Sequence, residues 1–217
     1  MTNLVLLELP ASLLLKRLFD TNMNIKQLKI QKTRIETELN KSMSTRTDNQ
    51  RIARTRRQRG YNWEDTLVKR FNSIDGSKAF RLGSPSVGLP DILTVSTKDN
   101  TIYTIEAKSG TSTMLYVPHD QILRCLKWIH TFELYQTRKM IIAFKFLSKK
   151  RIGKGKYEPR ELREYYKIWD ESYPVTNFVC TYNGMTYALQ DGKRIQLNLK
   201  DGVMPFHNKN SKRLPHP

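Results

Sequence analysis

Acidic residues are scarce in this chain. Twenty Asp and Glu stand against 38 Lys and Arg, so the formal net charge is +18 and the sequence pI is about 10.0. Such an excess suits a polyanionic partner, nucleic acid first and an anionic membrane surface second. Cysteine is also scarce. Cys125 and Cys180 stand far apart in no C-x-x-C pattern, which argues against a disulfide scaffold and against a zinc site. The four histidines (His119, His130, His207, His216) are scattered without ligand spacing. Long apolar runs are missing too. None approaches the ~18 residues of a membrane span. The stretch from Leu4 to Leu15 is broken by Glu8, Pro10 and Ser12, and it lacks a basic lead and a small-residue cleavage site. A signal peptide is therefore not expected. The expectation is a cytoplasmic, nucleoid-associated protein with no membrane partner.

What remains is ample for a core. Hydrophobic residues make up 38% of the 217, with ten tyrosines among them. That length fits one domain with extensions. A leader, residues 1–45, carries a loose amphipathic pattern from Ile25 to Leu39 and reads as helical or disordered. A basic arm follows, with Arg54, Arg56, Arg57 and Arg59. Arginine suits bidentate phosphate contacts, although a charge block also serves as a merely solubilising tail.

The pattern then predicts a helix from Asn62, an N-cap residue, with Glu64 and Asp65 favouring its first turn. Leu67, Phe71 and Ile74 form its stripe, and Asp75-Gly76 ends it. Strands are predicted at Ala79–Leu82, Asp91–Thr97 and Thr101–Lys108, the last two joined by a turn at Lys98-Asp99-Asn100. A loop rich in turn formers, 83–90, precedes the second strand. Leu115-Tyr116-Val117 comes next, then a helix opened by Pro118 with Ile122, Leu126, Trp128 and Ile129. The near-continuous apolar run Lys139–Phe146 reads as a buried strand. Residues 149–156 form a basic linker with two glycines, Pro159–Trp169 reads as helical, and Val175–Leu199 as a β-meander turning at Asn183-Gly184 and Asp191-Gly192. Helices at both ends of a few strands predict an α/β fold, a mixed sheet covered by helices.

The chemistry concentrates in Pro90-Asp91 and Glu106-Ala107-Lys108. Side chains alternate along a strand, so Ile102, Thr104, Glu106 and Lys108 share one face and Tyr103, Ile105 and Ala107 the other. An acid and a lysine at the end of a buried strand are costly to desolvate. A divalent metal held by Asp91 and Glu106, with Lys108 beside the reacting water, accounts for them. That is phosphodiester cleavage chemistry. Blander readings stand beside it: Asp91 as a strand-start residue, Glu106 with Lys108 as a surface ion pair, Glu64 as a first-turn acid and Ser84 as a turn residue.

With these residues in place, the stretch from about Arg56 to Phe146 resembles the PD-(D/E)xK nuclease superfamily. Within it, the order Arg59-Gly60, Glu64, Arg81, Gly83-Ser84, Pro90-Asp91-Ile92, Ile105-Glu106-Ala107-Lys108-Ser109, Leu115-Tyr116-Val117 and Gln121 is similar to the archaeal Holliday junction resolvases. The resemblance implies a restriction-endonuclease-like core, a homodimer and four-way DNA junctions as substrate. It implies Mg²⁺, replaceable by Mn²⁺, on Glu64, Asp91 and Glu106. Lys108 and Ser84 complete the implied catalytic set. DNA contacts would come from Arg54, Arg56, Arg57, Arg59, Arg81, Tyr116 and Gln121. The leader and the 175–199 meander lie outside the family pattern. The expected layout is a leader over 1–45, a nuclease core over 46–150, a helix plus β-meander extension over 151–205 and a disordered tail over 206–217. A restriction-like or repair endonuclease on duplex DNA, or a basic DNA-binding protein without activity, are the alternatives.

Overall fold

The computed structural model describes residues 25–82 and 88–206. The expectations for residues 1–24, for Ser84 and for the tail beyond 206 lie outside the described residues. The chain divides into two units, one up to Arg54 and one from Thr55. The first unit contributes helix from Ile25 onward. Its i,i+4 pairs Lys32–Glu36 and Arg34–Glu38, at 3.9 and 3.8 Å, are exposed and stabilise weakly. Ile30, Ile35 and Leu39 are also exposed.

In the second unit the expected helix start at Asn62 does not occur. Helix α1 spans Ile25–Asn72 without a break. No proline interrupts those residues, and the single glycine, Gly60, costs only ~1 kcal/mol in a helix. Asn62 does not cap. Its side-chain oxygen accepts from Gln58 Nε2 at 2.9 Å. At the helix's last position, Asn72 holds both backbone groups of Ala79, at 2.8 and 3.2 Å, and so fixes the first strand.

Eleven strands follow among the described residues, with one further helix. They are β1 (Ser77–Arg81), β2 (Ile92–Ser96), β3 (Thr101–Gly110), β4 (Met114–Val117), β5 (Thr137–Phe146), β6 (Lys149–Arg151), β7 (Tyr157–Pro159), β8 (Arg163–Ile168), β9 (Asn177–Thr181), β10 (Thr186–Gln190) and β11 (Lys193–Gln196). Helix α2 (His119–Thr131) lies between β4 and β5. The central sheet has order β1-β2-β3-β5-β8. Its pairs are antiparallel except β3–β5, which is parallel. The fold is thus the expected mixed α/β arrangement, a central mixed sheet flanked by helices.

The helix expected over Pro159–Trp169 is instead β8, the edge strand beside β5. Arg160-Glu161-Leu162-Arg163-Glu164 supplies good helix formers, but tertiary pairing overrides so weak a preference. Alternation decides it. Tyr166 enters the core beneath α1, while Tyr165 and Trp169 join the opposite core.

Strand β5 shows why it is apolar throughout. Ile141 and Ala143 pack with Trp63, Leu67 and Phe71 of α1; Met140, Ile142, Phe144 and Phe146 pack with Ile122 and Cys125 of α2. Hydrogen bonds from the core-facing side chains help tie each helix to the sheet. Trp63 Nε1 donates to the Ala143 carbonyl at 3.1 Å, and Thr104 Oγ1 to the Cys125 carbonyl at 3.2 Å. The expected meander is present as β9–β11. Gly184, at φ +81°, makes the first of its turns, where a Cβ would stand 2.6 Å from the Tyr165 ring. The meander continues a second sheet, β11-β10-β9-β4, whose Leu115, Val117, Phe178, Cys180 and Ala188 share the core with α2.

Candidate active site

Strand β3 delivers Glu106 and Lys108 on the face turned toward α2, as alternation requires. Ile102, Thr104 and Glu106 on that face are fully buried. Asp91 precedes β2, whose Ile92 pairs with Ile105. That register brings Asp91 Oδ2 to 2.8 Å from the Ala107 amide, which donates to it. Two carboxylates from neighbouring strands therefore meet at one end of the sheet.

Their cation partners are unequal. Lys108 Nζ lies 2.5 Å from Glu106 Oε1. Arg124, on α2, lies 2.8 Å from Glu106 Oε2 and 3.8 Å from Asp91 Oδ1. A carboxylate without solvent contact needs such partners. Arg124 is the residue that sequence reasoning missed. It flanks the Ile122, Cys125, Ile129 stripe, three residues after Gln121, and only the packing of α2 over β3 brings it to the acids.

Glu64 joins from α1. It is buried, and its Oε2 has no hydrogen-bond partner among the described residues. Burial, then the charge of Asp91 and, less strongly, that of Glu106 push its carboxyl up to about 7, against the opposing pull of Arg81 and Lys108. Burial and the Glu106 charge raise Asp91 to about 6, against Lys108, the Ala107 amide and Arg124. Raised carboxyls of this kind gather at sites that bind cations or move protons.

The other expected residues divide. Arg81 sits near Glu64 but is engaged, 3.1 Å from Asp65 and over the Tyr61 ring at 5.0 Å. Arg54, Arg56 and Arg57 are exposed along α1. Arg59 is half-buried, and its carbonyl accepts from Ser109 Oγ at 3.2 Å. Tyr116 is exposed on β4. Gln121, in the first turn of α2, is half-buried, and its Oε1 has no partner among the described residues. Among the described residues, neither it nor Tyr116 makes a side-chain hydrogen bond to the acids. The expectation for Ser84 falls outside the described residues.

The donor chemistry suits a hard divalent cation, which prefers carboxylate oxygens. Three acids, two of them raised, and an orphaned buried oxygen at Glu64 agree with that. Among the described residues, no three acidic, histidine or cysteine side chains stand within metal-holding distance. Lys108 and Arg124 now occupy the oxygens of Glu106.

A family model, archaeal Holliday junction resolvase (Hjc), matches residues 55–170, more than half of the chain. The chain belongs to that family. The matched stretch contains Glu64, Asp91, Glu106, Lys108 and Arg124, and it runs just past β8. Among solved structures, the chain is similar to Hjc of Archaeoglobus fulgidus, a Holliday junction resolvase from an archaeal hyperthermophile. The identity is 18%, over 56% of this chain and 83% of that one, with a TM-score of 0.38. No curated protein matches the chain. Among the described residues, no helix is long and apolar enough to cross a membrane.

Proposed function

We propose that this Hjc-family protein is a divalent-metal-dependent endonuclease that cuts four-way DNA junctions by phosphodiester hydrolysis, in recombination and repair. The observation that carries the reading is the convergence of Glu64, Asp91, Glu106 and Lys108 at one end of the sheet, with two carboxyls raised. Asp91 and Glu106, with Glu64, are the residues that would hold Mg²⁺ or Mn²⁺. The bound metal supplies an activated water and positive charge at the reacting phosphate.

The chain's own groups do the rest. The Ala107 amide fixes Asp91 Oδ2 in place. Lys108 Nζ, next to Glu106, orients the water and stabilises charge that develops on phosphate oxygens. Arg124 brings one guanidinium nitrogen, Nη2, to the same carboxylates, and a guanidinium also suits phosphate. The raised carboxyl of Glu64 can hold a proton near neutral pH. Arg54, Arg56, Arg57 and Arg59 would meet backbone phosphates, and such contacts position DNA without reading sequence. A homodimer would present two identical sites to a two-fold symmetric junction.

The test compares a synthetic four-way junction with its duplex arms, in Mg²⁺, Mn²⁺, Ca²⁺ or EDTA. Paired nicks on opposed strands, dependent on Mg²⁺ or Mn²⁺, are expected. Equal cleavage in EDTA would remove the metal from the reading. Linear duplex cut as fast as a junction would point to the duplex endonuclease instead.

A further inference from the structure

The basic stretch Lys149–Lys156 is a folded hairpin attached to the catalytic strand. Strands β6 and β7 pair Lys149 with Pro159, Lys150 with Glu158 and Arg151 with Tyr157. The tip closes through Ile152 N to the Lys156 carbonyl, at 3.1 Å, with Gly155 at φ +72°. The base is bolted to the end of β3. The Gly110 carbonyl accepts from Leu147 N, and the Thr111 carbonyl from Arg151 N, both at 2.9 Å. Arg160 locks the joint. Its guanidinium donates to the carbonyls of Leu147, Gly110 and Ser112, and stacks over Tyr182 at 4.6 Å.

Charge is distributed unevenly over this hairpin. Its single acid, Glu158, pairs with Lys150 at 2.6 Å. Cross-strand partners share a face and neighbours along a strand do not, so that pair neutralises one face. The other carries Lys149, Arg151 and Tyr157, all exposed, and the tip adds exposed Lys154 and Lys156. Four exposed cations around an exposed tyrosine match a sugar-phosphate backbone, with an aromatic surface for a base or sugar.

Distance fixes where that backbone runs. Thr111 lies three residues past Lys108, so their Cα atoms are at most ~11 Å apart. Each DNA strand advances about 3.4 Å per phosphate. The base of the hairpin is therefore within about three to four phosphates of Lys108, and the tip reaches farther. We propose that the β6–β7 hairpin is a clamp on the DNA backbone flanking the scissile phosphate, with Lys149, Arg151, Lys154 and Lys156 as phosphate contacts. This rests on the nuclease reading only for the identity of the scissile site.

The experiment changes Lys149, Arg151, Lys154 and Lys156 together to Gln. Affinity for a four-way junction is measured across a salt series, beside hydroxyl-radical footprints. Each lost phosphate contact lowers the log–log salt slope by ~0.9, so a fall of about 2–4 is expected. Protection should shrink beside the cut and persist at it. An unchanged slope, or protection lost evenly along the DNA, overturns the clamp. Should the fourfold variant melt well below the parent, Lys154→Gln with Lys156→Gln, at the tip outside the ladder, must lower the slope by about 1–2. The two readings fail separately. A parent that cuts junctions beside a variant with the parent's slope sinks the clamp alone. A flattened slope beside a parent that never cuts sinks the nuclease alone.

Discussion

Glu64→Gln separates the acid's cost to folding from its use. The carboxyl of Glu64 is raised from an ordinary 4.5 to about 7, chiefly by burial. A carboxyl whose folded value exceeds its unfolded value binds its proton more tightly in the folded state. Its favourable linkage is present at low pH and is lost as pH rises through about 4.5 to about 7. Above that, ionised Glu64 is a standing cost to the metal-free fold. At ~1.36 kcal/mol per unit, the cost is no more than about 3 kcal/mol near pH 8 and under about 1 kcal/mol near pH 5.

Glutamine keeps the shape and removes the charge. The variant should therefore melt above the parent in EDTA near pH 8, by up to ~6–12 °C at ~2–4 °C per kcal/mol for a chain of this size. Near pH 5 the gap should shrink to a few degrees. The same variant should lose most junction cleavage, since residues kept for function commonly cost stability. Thermal melts at the two pH values read the result. A gap that is absent, or equal at both, would refute the account of Glu64 as a buried, cation-seeking acid.

Two further outcomes test the neighbouring residues. Glu106→Gln or Lys108→Ala should abolish cleavage while junction affinity, measured by titration, stays within a few fold, because the binding cations lie outside the site; full activity in either would sink the mechanism. Arg124→Met leaves fully buried Glu106 with Lys108 alone, so the EDTA form should lose ~2–4 kcal/mol, and added Mg²⁺ should raise the variant's melting temperature more than the parent's; equal metal stabilisation would mean that Arg124 does not occupy the cation's place.

Period-two alternation made the core of this site legible in the sequence. It placed Glu106 and Lys108 on one face of a buried strand, and β3 carries them so. Turn chemistry located the β2–β3 hairpin at Asn100, which adopts φ +44°, and both turns of the meander. Helix ends were harder to read. Asn62 looks like a cap, but capping signals act only where something else stops the helix, and nothing between Ile25 and Asn72 does. Strand β8 was misread because local propensity in a charged segment says little about an edge strand whose partner, β5, lies 17 or more residues away in sequence. Arg124 was invisible for a related reason. An arginine beside an apolar stripe is ordinary until the element beneath it is known.

The second sheet bears on the site through β4. In sequence, β4 lies between β3, with Glu106 and Lys108, and α2, with Arg124. Among the described residues its ladder partner is β9 of the meander, with Leu115 opposite Cys180 and Val117 opposite Phe178. Those four side chains are buried with Ile122 and Cys125 of α2. The meander is thus no appendage to the chain's energetics. It supplies the strand that fixes β4 and much of the apolar surface on which α2 rests. Because Arg124 reaches Glu106 only from α2, the position of that guanidinium depends on packing contributed by residues 177–199. Buried apolar contacts tolerate little displacement, so the C-terminal sheet constrains the charge arrangement around Glu106 without contributing a polar atom to it.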